Sequence, residues 1–150
     1  MSDLIIFLVL LSLGYGVGQY AERRHYRSII EREGRLNALP AIASRYPPPE
    51  PHYEQALVTG STVISVDYFK RFLAALRNLF GGRVTSYESL LDRARRESLL
   101  RMKEQAAALG AAMGFNVKYE TASISKGRGN SIVSIEVLAY GTALIDPRGR

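Results

Sequence analysis

The sequence predicts an α+β protein: one N-terminal transmembrane helix, a linker, and a small two-layer domain of order β-α-α-β-β with an antiparallel sheet. Two observations carry this. Leu4 to Tyr20 runs 17 residues without a charge. After Gln55, a β-branched run, two stretches of helical periodicity and two alternating runs follow in order.

The first run, LIIFLVLLSLGYGVGQY, is about 25 Å long as a helix, at the short end of what crosses a hydrocarbon core of about 30 Å. Met1, Ser2 and Ala21 extend it, and mild thinning of the bilayer absorbs the remainder. Tyr15 and Tyr20 fall where an interfacial aromatic belt belongs. A buried core helix would carry a polar stripe, and the first half has none. A cleaved signal peptide wants a basic start and a small-x-small exit; here Asp3 precedes the run and Gln19-Tyr20-Ala21-Glu22-Arg23 follows it. Residues 1–21 are therefore read as an uncleaved anchor. Arg23, Arg24 and Arg27 come directly after the span and nothing basic precedes it, so the N-terminus is expected outside and the domain in the cytoplasm. Gly14-x-x-x-Gly18 matches a small-xxx-small helix contact, a pattern common by chance in membrane spans.

Residues 22–55 read as a juxtamembrane helix and a proline-rich linker. Tyr26, Ile29, Ile30 and Leu36 form a broken apolar stripe that Pro40 should end, because proline lacks the donor a helix needs. Tyr46-Pro47-Pro48-Pro49-Glu50-Pro51 then makes a polyproline spacer of about 3.1 Å per residue.

The domain is expected over 56–146, with 147–150 as a tail. Ala56 to Val66 is a strand, and Gly60 marks a bulge or a close backbone approach. Asp67 caps a helix from Tyr68 to Leu79, with Phe69, Phe72, Leu73, Leu76 and Phe80 at i, i+3, i+4 spacing and Gly81-Gly82 ending it. Thr85-x-x-Glu88 is a capping box that opens the longest helix, to about Leu109. Its buried stripe is Tyr87, Leu91, Ala94, Ser98, Met102, Ala106 and Leu109; Asp92, Arg93, Arg96, Glu97, Lys103 and Glu104 form the solvated face, with Glu97 placed to pair with Arg101. Gly110 stops the helix. Strands follow from Met113 to Ile124 and from Ser131 to Leu144, joined by Ser125-Lys126-Gly127-Arg128-Gly129-Asn130. Ile132, Ser134, Glu136 and Leu138 alternate with Val133, Ile135, Val137 and Ala139, so one face packs on helices.

Composition narrows the chemistry. The chain has no cysteine, which removes disulfides, thiolate nucleophiles and the soft ligands of structural zinc sites. Residues 56–150 hold 14 Lys/Arg against 8 Asp/Glu. A basic domain near a membrane is drawn to anionic headgroups; the charges alternate with acids and form no tight block, which ranks nucleic acid last among partners. Arg23, Arg24, Arg27, Lys126 and Arg128 are the candidates for anion or lipid contact. The Lys126-Gly127-Arg128-Gly129 run joins two strands and lacks the P-loop pattern, so it reads as a hairpin tip. No histidine lies after His52, which excludes a serine triad within the domain; no enzyme is expected.

Thr59-Gly60-Ser61-Thr62-Val63, Leu76-Arg77-Asn78-Leu79-Phe80-Gly81-Gly82-Arg83 and Tyr87-Glu88-Ser89-Leu90-Leu91 with Ala94-Arg95 resemble the YbjQ-like family. Met102, Ala106, Leu109-Gly110-Ala111 and Glu136-Val137-Leu138-Ala139-Tyr140-Gly141-Thr142-Ala143 continue the resemblance over residues 56–145. It implies a dodecin-like subunit assembling as a homopentamer, a heavy-metal-binding label, and for this chain a membrane-attached branch. Divalent metal enters only through that label. Soft metals ask for sulfur and borderline ones for imidazole, whereas the domain offers Asp67, Glu88, Asp92, Glu97, Glu104, Glu120 and Glu136. Glu136, in an otherwise apolar strand, is the candidate for a hard cation held where subunits of a ring meet. Gly60, Gly81, Gly82 and Gly141 are expected to serve backbone geometry. The function expected is a membrane-anchored oligomeric binding or scaffold protein, with protein and lipid as partners; the alternative is a metal or small-ligand module whose site lies between subunits.

Overall fold

The computed structural model describes residues 2–46, 49, 53–65, 85–126 and 132–147. Residues 1–35 and 36–150 form two compact units.

The first unit is a single helix, α1, Ser2–Arg35, about 51 Å long from its 34 residues. Its apolar side chains, Leu4, Ile5, Phe7, Leu10, Leu13 and Val17 among them, are exposed. By length and composition this helix can cross a membrane. It ends at Arg35, four residues before the expected stop at Leu39. A turn closed by Leu39 N–H donating to the Leu36 carbonyl (3.2 Å) follows, which frees Leu39 to enter the core of the second unit.

The second unit is built from β1 (Glu54–Ser65), α2 (Thr85–Ala108), β2 (Ala111–Lys126) and β3 (Ile132–Ile145). The expected helix over 68–79 lies outside the described residues. The strands form one antiparallel sheet in the order β1-β3-β2, so β3, last in sequence, sits in the middle. β1 and β2 therefore run parallel to each other on either side of it, a split β-α-β unit.

Alternation decides which face packs. Val58, Gly60 and Thr62 of β1 and Ile135, Val137, Ala139 and Ala143 of β3 are buried on the α2 side. The register places Leu57, Thr59, Ser61 and Val63 opposite Thr142, Tyr140, Leu138 and Glu136 on the other face. From α2, Ala94, Ser98, Met102 and Ala106 are buried as their spacing predicts. They join two clusters: Met102 and Ala106 with Leu39, Val58, Val117, Ala139 and Ala143, and Ala94 with Ile135 and Val137.

Two expectations change, and at Gly60 one of two alternatives holds. Leu109, placed on the buried stripe, is exposed, because it lies in the turn after the helix has ended. Glu97, placed on the solvated face, is 3% exposed, and Leu100 is 2% exposed, so α2 is covered over more of its circumference than one apolar stripe implies. Gly60 sits in an unshifted register with β3 and is no bulge. It is a close approach: a methyl there would lie 2.5 Å from the Met102 amide nitrogen and 2.8 Å from Arg101 Cβ, and nearer still to the Ser98 carbonyl oxygen.

The irregularities fall instead in β2, between Phe115 and Lys118 among others, where Asn116 takes φ 53°, a left-handed conformation asparagine tolerates better than most residues. Gly110 ends α2 at φ +71°, as a helix-stopping glycine should. Part of the stretch read as linker also belongs to the fold. Pro40–Ile42 lies along the outer edge of β2: Gly114 N–H donates to the Pro40 carbonyl (2.8 Å), and Ile42 N–H to the Gly114 carbonyl (2.9 Å). Val117 N–H donates to the Ile42 carbonyl at 3.0 Å.

Candidate functional site

α2 covers one face of the sheet. The opposite face carries Glu136, the cation candidate of the sequence. Along it, cross-strand rows read Val63–Glu136–Ala122, Ser61–Leu138–Glu120, Thr59–Tyr140–Lys118 and Leu57–Thr142–Phe115. Leu57 is 71% exposed and Val63 53% exposed, so the β1 end of this face is open among the described residues. Glu136 stands on the central strand, half-buried between Val63 and Ala122. Lys118 and Glu120, both exposed, bring opposite charges to neighbouring rows of β2.

Other candidates fall elsewhere. Arg23, Arg24 and Arg27 are exposed on α1, in the turns following the apolar run. Lys126 ends β2 in register with Ile132. Arg128, Gly81 and Gly82 lie outside the described residues. Gly141, on β3, packs closely on the irregular part of β2: a methyl there would meet the Phe115 carbonyl at 3.0 Å and Val117 Cγ2 at 3.3 Å. The predicted sites are thus spread over α1, the sheet face and a strand end.

On the α2 side, burial pushes the Tyr119 hydroxyl above its ordinary range, and the Arg95 guanidinium partly offsets this. The pair expected between Glu97 and Arg101 forms, with Arg101 Nε donating to Glu97 Oε1 at 2.9 Å. Arg101 Nη1 reaches further, to the Ser61 carbonyl at 2.8 Å, and Gln105, one turn on, accepts from the Thr59 amide at 2.7 Å. Sequence reasoning saw the i, i+4 charge pair but missed its ties to the strand, because pair spacing says nothing about what lies beside the helix. Arg96 and Asp92 pair more loosely, at 3.9 Å.

A family model, YbjQ, described as "Putative heavy-metal-binding", matches residues 51–146. The chain belongs to the YbjQ-like family. A UPF0145 protein of Hahella chejuensis is 42% identical over 89 residues, covering 59% of this chain and 80% of its own length. One from Clostridium novyi is 38% identical over 89 residues, covering 59% and 81%. One from Thermus thermophilus is 42% identical over 88 residues, covering 59% and 72%. A solved protein of unknown function from Pediococcus pentosaceus, of the DUF74 family, is 18% identical and covers 65% of this chain and 91% of its own, with a TM-score of 0.39.

The YbjQ-like match begins within the linker and takes in His52, which the sequence reading left outside the domain. His52 itself lies outside the described residues. The heavy-metal description does not fit the donors that the described part of this YbjQ-like chain provides. Thiolate is absent from the sequence, and Met102 is fully buried in an apolar cluster. Among the described residues no three of His, Cys, Asp and Glu come together in a group that could hold an ion. Soft and borderline ions select sulfur and imidazole, and the described carboxylates are hard oxygen donors standing apart.

Proposed function

We propose that this YbjQ-like protein is a membrane-anchored, oligomeric binding module without catalytic activity of its own. α1 holds it in the cytoplasmic membrane with its N-terminus outside and its domain in the cytoplasm. The single observation that carries this reading is the exposure of the described apolar side chains of α1 over Leu4–Tyr20, followed within two turns by exposed Arg23, Arg24 and Arg27. In water, each such leucine or isoleucine left uncovered forgoes about 1.5–3 kcal/mol of burial, and a bilayer supplies it. The three arginines gain about 1 kcal/mol each near an anionic headgroup surface and set the orientation. The family description, heavy-metal-binding, supports a binding role. Full-length protein is expected to stay in the membrane pellet through alkaline carbonate, and a chain lacking residues 2–20 to leave it; full-length protein in the carbonate supernatant would overturn the anchor. A detergent-extracted chain with the mass of a monomer by light scattering would overturn the oligomer.

A second reading is favoured by the position of Glu136, half-buried on the central strand of the open face. In a ring, one such carboxylate per subunit converges on a shared site for a hard divalent cation with oxygen ligands. Native mass spectrometry of the detergent-solubilised protein against Mg²⁺, Ca²⁺, Mn²⁺ and Zn²⁺ tests it. Less than one retained ion per subunit, lost in Glu136→Gln, is the expected pattern; retention unaffected by that substitution removes Glu136 from the reading.

A further inference from the structure

Both edges of the sheet are engaged by other parts of the same chain. At the β2 edge the engaging element is backbone, Pro40–Ile42, through hydrogen bonds of 2.8–3.0 Å. At the β1 edge it is side chain. Thr59 N–H donates to Gln105 Oε1 at 2.7 Å, and Arg101 Nη1 donates to the Ser61 carbonyl at 2.8 Å. Groups at Thr59 and Ser61 that reach α2 side chains cannot also face β3, so these are the outward donors and acceptors of an edge strand. Their spacing explains why one helix serves both. Alternate residues of a strand are about 6.8 Å apart, and residues four apart on a helix about 6 Å, so Arg101 and Gln105 fall in step with Ser61 and Thr59. The Arg101 fork is held in place, because its Nε donates to Glu97 Oε1 at 2.9 Å while Nη1 serves the strand. The same close approach that leaves no room for a side chain at Gly60 brings the strand within reach of these two residues.

An unguarded strand edge is a template for any extended chain, and natural sheets block it with bulges, charges or covering elements. We propose that Gln105 and Arg101 form an edge guard that closes the centre of β1 to strand addition. An extended peptide, or the matching strand of a second copy, is excluded from Thr59 and Ser61 while α2 is in place, and any assembly of the protein is built without pairing there. The guard rests on the geometry of the domain and holds whether or not α1 crosses a membrane.

The test uses the full chain in detergent. In Gln105→Ala, residue-resolved hydrogen exchange is expected to speed the Thr59 amide at least tenfold while Val58 and Gly60, whose amides face β3, keep their wild-type rates and so report an intact fold. In the double variant Arg101→Met/Gln105→Ala, which retains the arginine stem, light scattering is expected to show mass rising with protein concentration beyond that of the wild type. A Thr59 amide equally protected with and without Gln105 would mean that something other than this side chain covers the edge, and the proposal fails. It fails equally if the double variant keeps the wild-type mass at every concentration.

Discussion

Gly60→Ala is expected to destabilise the domain by about 3 kcal/mol, at the upper end of what overpacking costs. For a domain of this size that lowers the thermal midpoint by roughly 12–24 °C. The added methyl would not meet a side chain that can turn away. It would meet the backbone of α2, at the Ser98 carbonyl and, 2.5 Å off, at the Met102 amide nitrogen, with Arg101 Cβ at 2.8 Å. Relief requires α2 to lift from β1, and lifting it opens the Met102 cluster and parts Arg101 and Gln105 from the strand. Gly114→Ala is the internal control: its methyl would sit 3.5 Å from Met102 Cε and 3.7 Å from Ala41 Cβ, ordinary van der Waals distances. Its midpoint is expected within a few degrees of the wild type. Thermal unfolding followed by circular dichroism separates the two, and equal midpoints would show that the helix yields freely at Gly60.

Met102→Ala is expected to cost about 3–5 kcal/mol, read as a lower urea midpoint with an unchanged slope. Met102 is fully buried and shares its cluster with Leu39, Val58, Ala106, Val117, Ala139 and Ala143, with Gly114 alongside. The alanines and Gly114 have no side-chain reach with which to fill the space its removal leaves, and only Leu39, Val58 and Val117 can lean toward it, so much of the cavity persists and the cost lies high in the range for such truncations. Met102→Leu nearly conserves the volume and is expected to cost less than about 1.5 kcal/mol. A Met102→Ala loss no larger than that of Met102→Leu would show that the cluster collapses around the gap.

Much of the architecture was legible in the sequence. The Thr85-x-x-Glu88 pattern falls at the start of α2 and Gly110 just past its end, because signals of this kind depend only on nearby residues. The i, i+4 stripe from Ala94 to Ala106 and the alternation from Ile135 to Ala139 identify the packed faces, because burial imposes the period of the element on its residues. The candidate site was less legible. Glu136 could be assigned to a strand and a face, but its neighbours Val63 and Ala122 come from β1 and β2, and only the register brings the three into a row. The roles of Gln105 and Pro40–Ile42 were not visible at all. Each satisfies a backbone group more than 40 residues away in the chain, and no local pattern encodes such a partner.

By itself the sequence determined the apolar helix, the charge step after it, the order of strands and helix and the absence of thiolate ligands, since these depend on composition and on the periodicity of single elements. The tertiary structure alone decided that β3 lies between β1 and β2, that Glu97 is buried beside Arg101, that Gly60 is a contact point and no bulge, and that residues before the proline run complete the sheet. The physical reason is one of range. Periodicity and capping are settled within a turn or two of chain, whereas strand order, helix-to-sheet distance and the covering of an edge are settled by segments that meet only once the chain has folded.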